Sequence, residues 1–426
     1  MMVAAFYALS GIYLLRDYIP WTSVNFIIGM ISLPLIAGQA KRAHAVRFGW
    51  MSIGFSLIGL AVPVQTAYYM AVCCALLFIA EQVYGKLNIL VFLTVVLMSP
   101  VMQYFAHVFS FPIRLWLTGI AGNILIHAGF EATVSGNMIS ASNGDFAVDP
   151  ACMGLNMLIT SLLCGLLMLA VYQRRAKKEL HSFWIVFLLV FLLLLNIVAN
   201  LVRILLLVWF RLLPDNPMHG ISGILCLIVY VLIPASFIAR WLIKKKGQLL
   251  LQPLNPGAGH ATQTHSLHLL ILPCLLIAGL KLLHKPVYIA NSTWPATTGY
   301  TVSRYDDEIT KLENTAAMIY LKPTRGFIYT DHNPLLCWTG CGYGFTKVEE
   351  QQWNGIPVFT GILSKGNETL YTAWWYDNGQ TRTTSQVKWR WLMIKGSPSF
   401  TIVNVTAIDK ATLIKEVQQF VDKKLL

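Results

Sequence analysis

Up to about residue 283 the chain alternates long apolar stretches with short basic interruptions, and after that it becomes mixed in polarity. The apolar stretches run about 15–25 residues, the length of helices that cross a bilayer. They predict nine spans, at 1–15, 21–40, 48–63, 66–80, 87–106, 153–172, 182–205, 222–243 and 267–283. The first segment, MMVAAFYALSGIYLLRDYIP, lacks a basic leader and a small-residue cleavage site, so it reads as a spanning helix and not as a removed signal.

Four basic loops lie between the spans: KRAHAVR (41–47), EQVYGK (81–86), QRRAKK (173–178) and KKK (244–246). Cytoplasmic loops carry the excess of Lys and Arg in membrane proteins. Threading nine spans in order places all four loops inside. The segment after 267–283 then emerges outside. Residues 111–130, FPIRLWLTGIAGNILIHAGF, are apolar but interrupted by Pro112, Arg114, Gly119 and Gly122. A tenth span there would invert every later loop, so the stretch reads as an interfacial or re-entrant helix on the outer side. The segment EATVSGNMISASNGDFAVDPA reads as an outer loop with a small hairpin.

Composition supports this pattern. Of the 426 residues, 56% are hydrophobic and 12% charged, against about 25% charged in a soluble domain. The net charge of +13 sits largely in the short loops, where it sets orientation; that argues against a nucleic-acid partner. The fold class expected is a polytopic α-helical membrane protein of about nine spans with a C-terminal extracytoplasmic α+β domain. Its parts are a transmembrane domain over 1–246, a cytoplasmic linker over 247–266, a further span over 267–283 and the outer domain over 284–426.

Three residues stand out against this background. Cys152 lies where an outer loop enters the span at 153–172. Arg203 falls in the outer part of a span that also carries Asn196 and Asn200, and His219 precedes the next span. An arginine within a span costs at least about 2.5–3.5 kcal/mol on insertion scales, so it normally has a partner or a task. The threading brings the three to one depth. A thiol, an imidazole and a guanidinium suit acyl chemistry: Cys152 as nucleophile, His219 as acid and base, Arg203 as oxyanion or carboxylate stabiliser. The bland readings are a packing cysteine, a snorkelling arginine and a loop histidine. Cys73, Cys74, Cys164, Cys226 and Cys274 read as packing residues.

At these positions the sequence resembles the exosortase/archaeosortase family of membrane cysteine transpeptidases. A Cys-x-Gly at a helix start matches Cys152 and Gly154. An Asn-x-x-Arg followed by an aliphatic residue matches Asn200, Arg203 and Ile204. A His-Gly before a span matches His219 and Gly220. Met153 departs from the small or hydroxyl residue that many relatives carry after the cysteine. The resemblance covers about residues 1–245. It implies a multi-pass protein of the bacterial cytoplasmic membrane. Its clients would be proteins with a C-terminal sorting signal: a motif, a transmembrane helix and a basic tail. Cys152 would form a thioester with the client, with Arg203 and His219 assisting and Asn200, Gly154 and Gly220 in support. The client would then pass to an acceptor on a surface glycan or lipid. No cofactor or metal is implied.

Beyond the membrane part, TLYTAWWYDNGQTRTTSQVKWRWLMI reads as a strand, a turn and a second strand. DKATLIKEVQQFVDKK reads as a helix capped by Asp409, with Leu413, Val417, Phe420 and Val421 on one face. The stretch DHNPLLCWTGCGYGF resembles the His-x-Pro-x-x-Cys signature of a soluble domain associated with exosortases, over mainly 315–395. Three readings stay open for it: a Cys337–Cys341 disulfide, free thiols with a second catalytic cysteine near His332, or a metal site lacking an obvious fourth ligand. From another class, the large outer domain also suits a non-enzymatic scaffold or assembly factor for surface polysaccharide export. A transporter fits less well, because the polar residues gather at one face and not at the midplane.

Overall fold

A computed structural model of the chain describes residues 2–37, 45–141, 144–148, 150–213, 216–249, 261–283, 299–305, 309–324, 326 and 334–422. The helices begin with α1 (Met2–Leu15), α2 (Val24–Ala37), α3 (Arg47–Ala61), α4 (Gln65–Tyr84), α5 (Ile89–Leu97) and α6 (Val101–His127). Strands β1 (Ala132–Ser135), β2 (Met138–Ala141) and β3 (Gly144–Ala147) follow, then α7 (Leu155–Ala176), β4 (Lys178–Glu179), α8 (Ser182–Trp209), α9 (Pro217–Cys226), α10 (Ile233–Lys246), β5 (Gln248–Leu249) and α11 (Ala261–Leu283). The rest comprises β6 (Thr301–Arg304), β7 (Thr310–Glu313), β8 (Ala317–Pro323), α12 (Pro334–Gly340), β9 (Gly344–Trp353), β10 (Ile356–Lys365), β11 (Glu368–Asp377), β12 (Arg382–Thr383), α13 (Gln386–Ile394), β13 (Thr401–Ala407) and α14 (Lys410–Asp422). The described residues fall into two compact units, one drawn from 1–106, 154–203 and 214–286, the other from 107–153, 204–213 and 287–426.

In the first unit α4 packs against α1, α3 and α11, and α7 against α2, α5 and α10. Among the described residues five helical segments are long and apolar enough to cross a membrane: Gln65–Tyr84, Leu155–Ala176, Ser182–Trp209, Pro217–Lys246 and Ser266–Leu283. The expected nine spans are corrected accordingly. Helices α1 and α2 have 14 residues and α3 has 15. At 1.5 Å per residue they reach about 21–23 Å, short of a ~30 Å hydrocarbon core. The expected span at 87–106 is not one helix. Helix α5 stops after nine residues, and a new helix starts at Val101. Pro100 lacks an N–H and disfavours helical backbone at Ser99, so the apolar run breaks there. Conversely, Pro112, Gly119 and Gly122 do not break α6, which continues for 27 residues. Residues 250–260 of the expected linker lie outside the described residues. Its start pairs as β5 with β4, antiparallel.

Apolar helices associate through close backbone approach and interhelical hydrogen bonds. Both occur between α7 and α8. A Cβ on Gly165 would lie 2.5 Å from Leu192 Cδ1. Asn196 Nδ2 donates to Ser161 Oγ at 2.6 Å. At the end of α4, Glu81 is fully buried and accepts from Arg47 at 2.9 Å and from the Leu87 backbone N–H at 3.0 Å. That pair uses one cation of the first basic loop to hold the turn into α5.

The second unit is built on an antiparallel eight-stranded sheet in the order β6-β7-β8-β13-β11-β10-β9, with β12 paired to β11. Side chains alternate across a strand, and β11 shows the consequence in three successive residues. Trp375 faces α14, with its ring 5.8 Å from Phe420. Trp374 faces the other way, into a cluster with Phe111 of α6, Val348 and Phe359. Tyr376 stacks on Trp389 of α13 at 5.1 Å. The C-terminal helix is as expected: Asp409 accepts from the Thr412 backbone N–H at 2.9 Å, which holds its carboxyl below the usual carboxylate range. Leu413, Val417 and Phe420 are buried, and Val421 packs beside them. The expected second strand is corrected. After the turn, where Asn378 Oδ1 accepts from the Gln380 and Thr381 N–H groups, only Arg382–Thr383 pairs. Ser385 then caps α13 by accepting from Lys388 N; a serine cap outweighs the β propensity of the tryptophans. The expected small hairpin appears as the meander β1-β2-β3.

Trp375 is wholly buried, whereas Trp391 on α13 is exposed. Trp375→Ala is expected to destabilise the second unit by about 3–5 kcal/mol and Trp391→Ala by less than about 0.5 kcal/mol. Limited proteolysis of the full chain at increasing urea reads both. Equal resistance of the two variants would contradict this packing.

Candidate functional site

The site begins at a helix junction. Cys152 is buried within a 3-10 turn, Pro150–Met153, which leads through Gly154 into α7. Gly154 takes φ 76°, ψ 6°, a left-handed conformation that glycine adopts without the Cβ penalty. A Cβ there would also lie 2.6 Å from Asn200 Cγ. Two independent demands, backbone handedness and space, therefore select glycine two residues after the cysteine.

Helix α8 carries the second block. Asn196, Asn200 and Arg203 recur at spacings of four and three, which places them on one helix face. All three are buried, at 4%, 3% and 7% exposure, while Val190, Leu194 and Val198 on the same helix are exposed. Arg203 Nη2 donates to the His219 backbone carbonyl at 3.3 Å. Ser222 Oγ donates to that same carbonyl at 2.8 Å.

The third block sits differently from its expected place. His219 and Gly220 were expected in the loop ahead of a span beginning near residue 222. They lie instead inside the first turn of α9. Asn216 caps the helix by accepting from Met218 N at 2.9 Å, and Pro217 takes the first helical position, where its missing N–H costs nothing. A helical first turn fixes the His219 backbone and with it the carbonyl that Arg203 grips. Sequence reasoning missed Asn216, Ser222 and Gly223. The Asn-Pro pair is a recognisable helix start and was the available signal for Asn216. Gly223 has a packing reason, since a Cβ there would come 3.2 Å from Arg203 Nε. Gly220 has none of that kind, as a Cβ there would meet nothing within 4 Å.

The structure thus brings Gly154, at the start of α7, against Asn200 of α8, and joins α8 to α9 through Arg203 and the His219 carbonyl. In the C-terminal part, Cys337 and Cys341 are free thiols, not bridged to each other. Lys322 Nζ lies 3.3 Å from Cys337 Sγ. The neighbouring Trp338 Nε1 donates to Asn404 Oδ1 at 3.1 Å, which pins α12 to β13. His332 lies outside the described residues.

Gly154→Ala is expected to lower the melting temperature of the purified chain, because it adds left-handed strain of about 1–2 kcal/mol to a clash with Asn200. Asn200→Ala opens that space, so the double variant should lose less than the two single losses added together. Strict additivity would sink the close-approach explanation.

A model of the family described as Transmembrane exosortase (Exosortase_EpsH) matches residues 19–236, just over half of the chain. No curated protein and no solved structure matches. The matched stretch contains all three residue blocks, three of the five long apolar helices and most of a fourth, and the chain belongs to the transmembrane exosortase family.

Proposed function

We propose that the chain is a membrane cysteine transpeptidase that sorts client proteins bearing a C-terminal signal. The observation that carries this reading is the coupling of the three residue blocks. Gly154 beside Asn200 and Arg203 on the His219 carbonyl link the turn after Cys152 to α8 and α8 to α9. Family membership supports the same reaction class.

In this reading the Cys152 sulfur attacks the carbonyl carbon of the client's scissile peptide, and its proton passes to His219. The carbonyl π electrons move to oxygen, where Arg203 supplies positive charge in a site with little water. Collapse of the tetrahedral intermediate breaks the C–N bond. His219 returns the proton to the leaving amine, which departs with the client's transmembrane helix and basic tail. A thioester remains on Cys152. An acceptor hydroxyl or amine then attacks that thioester, loses its proton to His219 and frees the thiol. A nucleophile beside a helix start is held at low entropic cost, and a client anchored by its own helix presents its scissile bond near the membrane surface.

The basic segments QRRAKK (173–178) and KKK (244–246), which the β4–β5 pairing brings to one end of α7 and α10, favour a cytoplasmic position for that end; α11 then leads the C-terminal part outside, in the cytoplasmic membrane of a bacterium. A phosphatase fused after residue 422 should be active, and a reporter that works only in the cytoplasm should be silent there. The reverse pair of signals would overturn the orientation. For the chemistry, the size of a client carrying a C-terminal sorting signal is followed by immunoblot. Cys152→Ala should abolish processing with insertion unchanged. Arg203→Lys keeps the charge but loses the planar fork, and is expected to slow processing by about 10²–10³-fold, as loss of an oxyanion donor does. Full processing by the cysteine variant would leave the fold with a different task.

A further inference from the structure

The C-terminal sheet carries a cleft of about 110 Å³ beside α14, away from the cysteine-bearing turns. One wall is strand β9, which contributes Lys347, Glu349, Gln351 and Trp353. These four alternate along the strand and so share a face. The pairing of β9 with β10 slips between Thr360 and Ile362, so that Lys347 and Val348 together oppose Gly361. This is a β-bulge, a device that re-aims side chains and is enriched beside functional sites. It lets Phe345 and Val348 both pack on the Phe359–Trp374 side of the sheet and turns Lys347 to the cleft. Lys347 has φ 49°. The left-handed position in such a bulge is one that glycine ordinarily fills. A lysine held there against its backbone preference is the kind of outlier that points toward function.

The wall is also pre-ordered. Trp353 Nε1 donates to Gln351 Oε1 at 2.9 Å, and Gln351 Nε2 donates to Glu349 Oε2 at 2.9 Å. Ser135 Oγ donates to the other Glu349 oxygen. The acceptors of the wall are thereby engaged. What the cleft still offers is largely donors: the second Gln351 N–H, the Thr360 and Tyr371 hydroxyls, and the Lys347 and Lys410 ammonium groups. None of the last four side chains makes a hydrogen bond or ion pair among the described residues. Trp353 and Tyr371 add aromatic surface.

A ligand that fits has a ring with an apolar C–H face, several hydroxyl acceptors and one negative charge. We propose that this cleft binds an acidic sugar residue of a polysaccharide, with the uronate carboxylate at Lys347 and Lys410 and the ring against Trp353 and Tyr371. Aromatic side chains present apolar surface with a polar handle, and ligand sites pair such surface with a few placed polar groups. The volume suits one ring and excludes a folded partner. The inference stands on the cleft by itself and does not require the thiol chemistry.

Binding is measured on the full chain in lipid nanodiscs, since alkyl glycoside detergents are themselves sugars. Galacturonate, glucuronate and mannuronate tetrasaccharides are titrated, with maltotetraose and inorganic phosphate as comparisons. At least one uronate should bind and quench tryptophan fluorescence, tenfold or more tighter than maltotetraose. Lys347→Met and Lys410→Met should each weaken it about tenfold, and Trp353→Ala should remove the quench. Lys347→Gly is decisive, because it relieves the backbone while deleting the charge: the melting temperature should hold or rise as binding falls. Wild type and Cys152→Ala should behave alike, so failure of the transpeptidase reading leaves this result untouched. Absence of uronate binding to folded protein, inorganic phosphate binding as tightly as the uronates, or unchanged binding in Lys347→Gly would each overturn the proposal.

Discussion

An apolar surround leaves no water to satisfy a polar group, so polar side chains in the first unit are turned toward partners within the protein. That constraint organises α8. A 28-residue helix whose polar residues beyond its first are Asn196, Asn200 and Arg203 must turn those three inward, and their spacing allows it. Asn196 meets Ser161 of α7, and Arg203 meets the His219 carbonyl of α9. The same few groups that would be costly in lipid therefore choose the neighbours of the helix. Packing and candidate chemistry are read from one stripe of residues.

The junction ahead of α7 shows how closely that stripe constrains its surroundings. Gly154 accepts a left-handed turn and lets Asn200 approach to where a methyl group would stand. The start of α7, directly after the turn holding Cys152, is thus fixed by backbone handedness and by close approach to Asn200. On α9, an asparagine cap and a proline start bring His219 into the helix, so its carbonyl is presented in a fixed direction. The chemistry proposed for Cys152 draws on this rigidity.

In the second unit the governing rule is period-two alternation, and the interest lies where it breaks. Trp375 faces α14 while Trp374 and Tyr376 share the opposite face, where their separation along the strand takes them to different clusters. The bulge at Lys347 interrupts that order, letting Phe345 and Val348 both reach the apolar side and leaving a lysine toward the cleft. The meander β1-β2-β3 braces the same place. Asn137 Oδ1 accepts from the Val348 backbone N–H at 3.1 Å, and Gly136 sits so close that a Cβ would overlap the Val348 carbonyl.

Composition and periodicity determined that this is a helical membrane protein with a sheet-rich C-terminal part, because burial in lipid demands long apolar runs and a soluble core demands mixed ones. They also determined the Asp409 cap and the buried face of α14, both local features of a helix. The three residue blocks were legible for the same reason: a cysteine, an arginine and a histidine are conspicuous against aliphatic sequence. Tertiary structure decided what depends on partners distant in the chain. Hydropathy counts apolar residues without weighing a single proline, so the break at Pro100 and the short reach of α1, α2 and α3 escaped it. A tryptophan-rich stretch reads as strand until Ser385 is seen capping α13. Neither the requirement for glycine at 154 nor the strain at Lys347 has any local signature, since each exists only because another element lies against it.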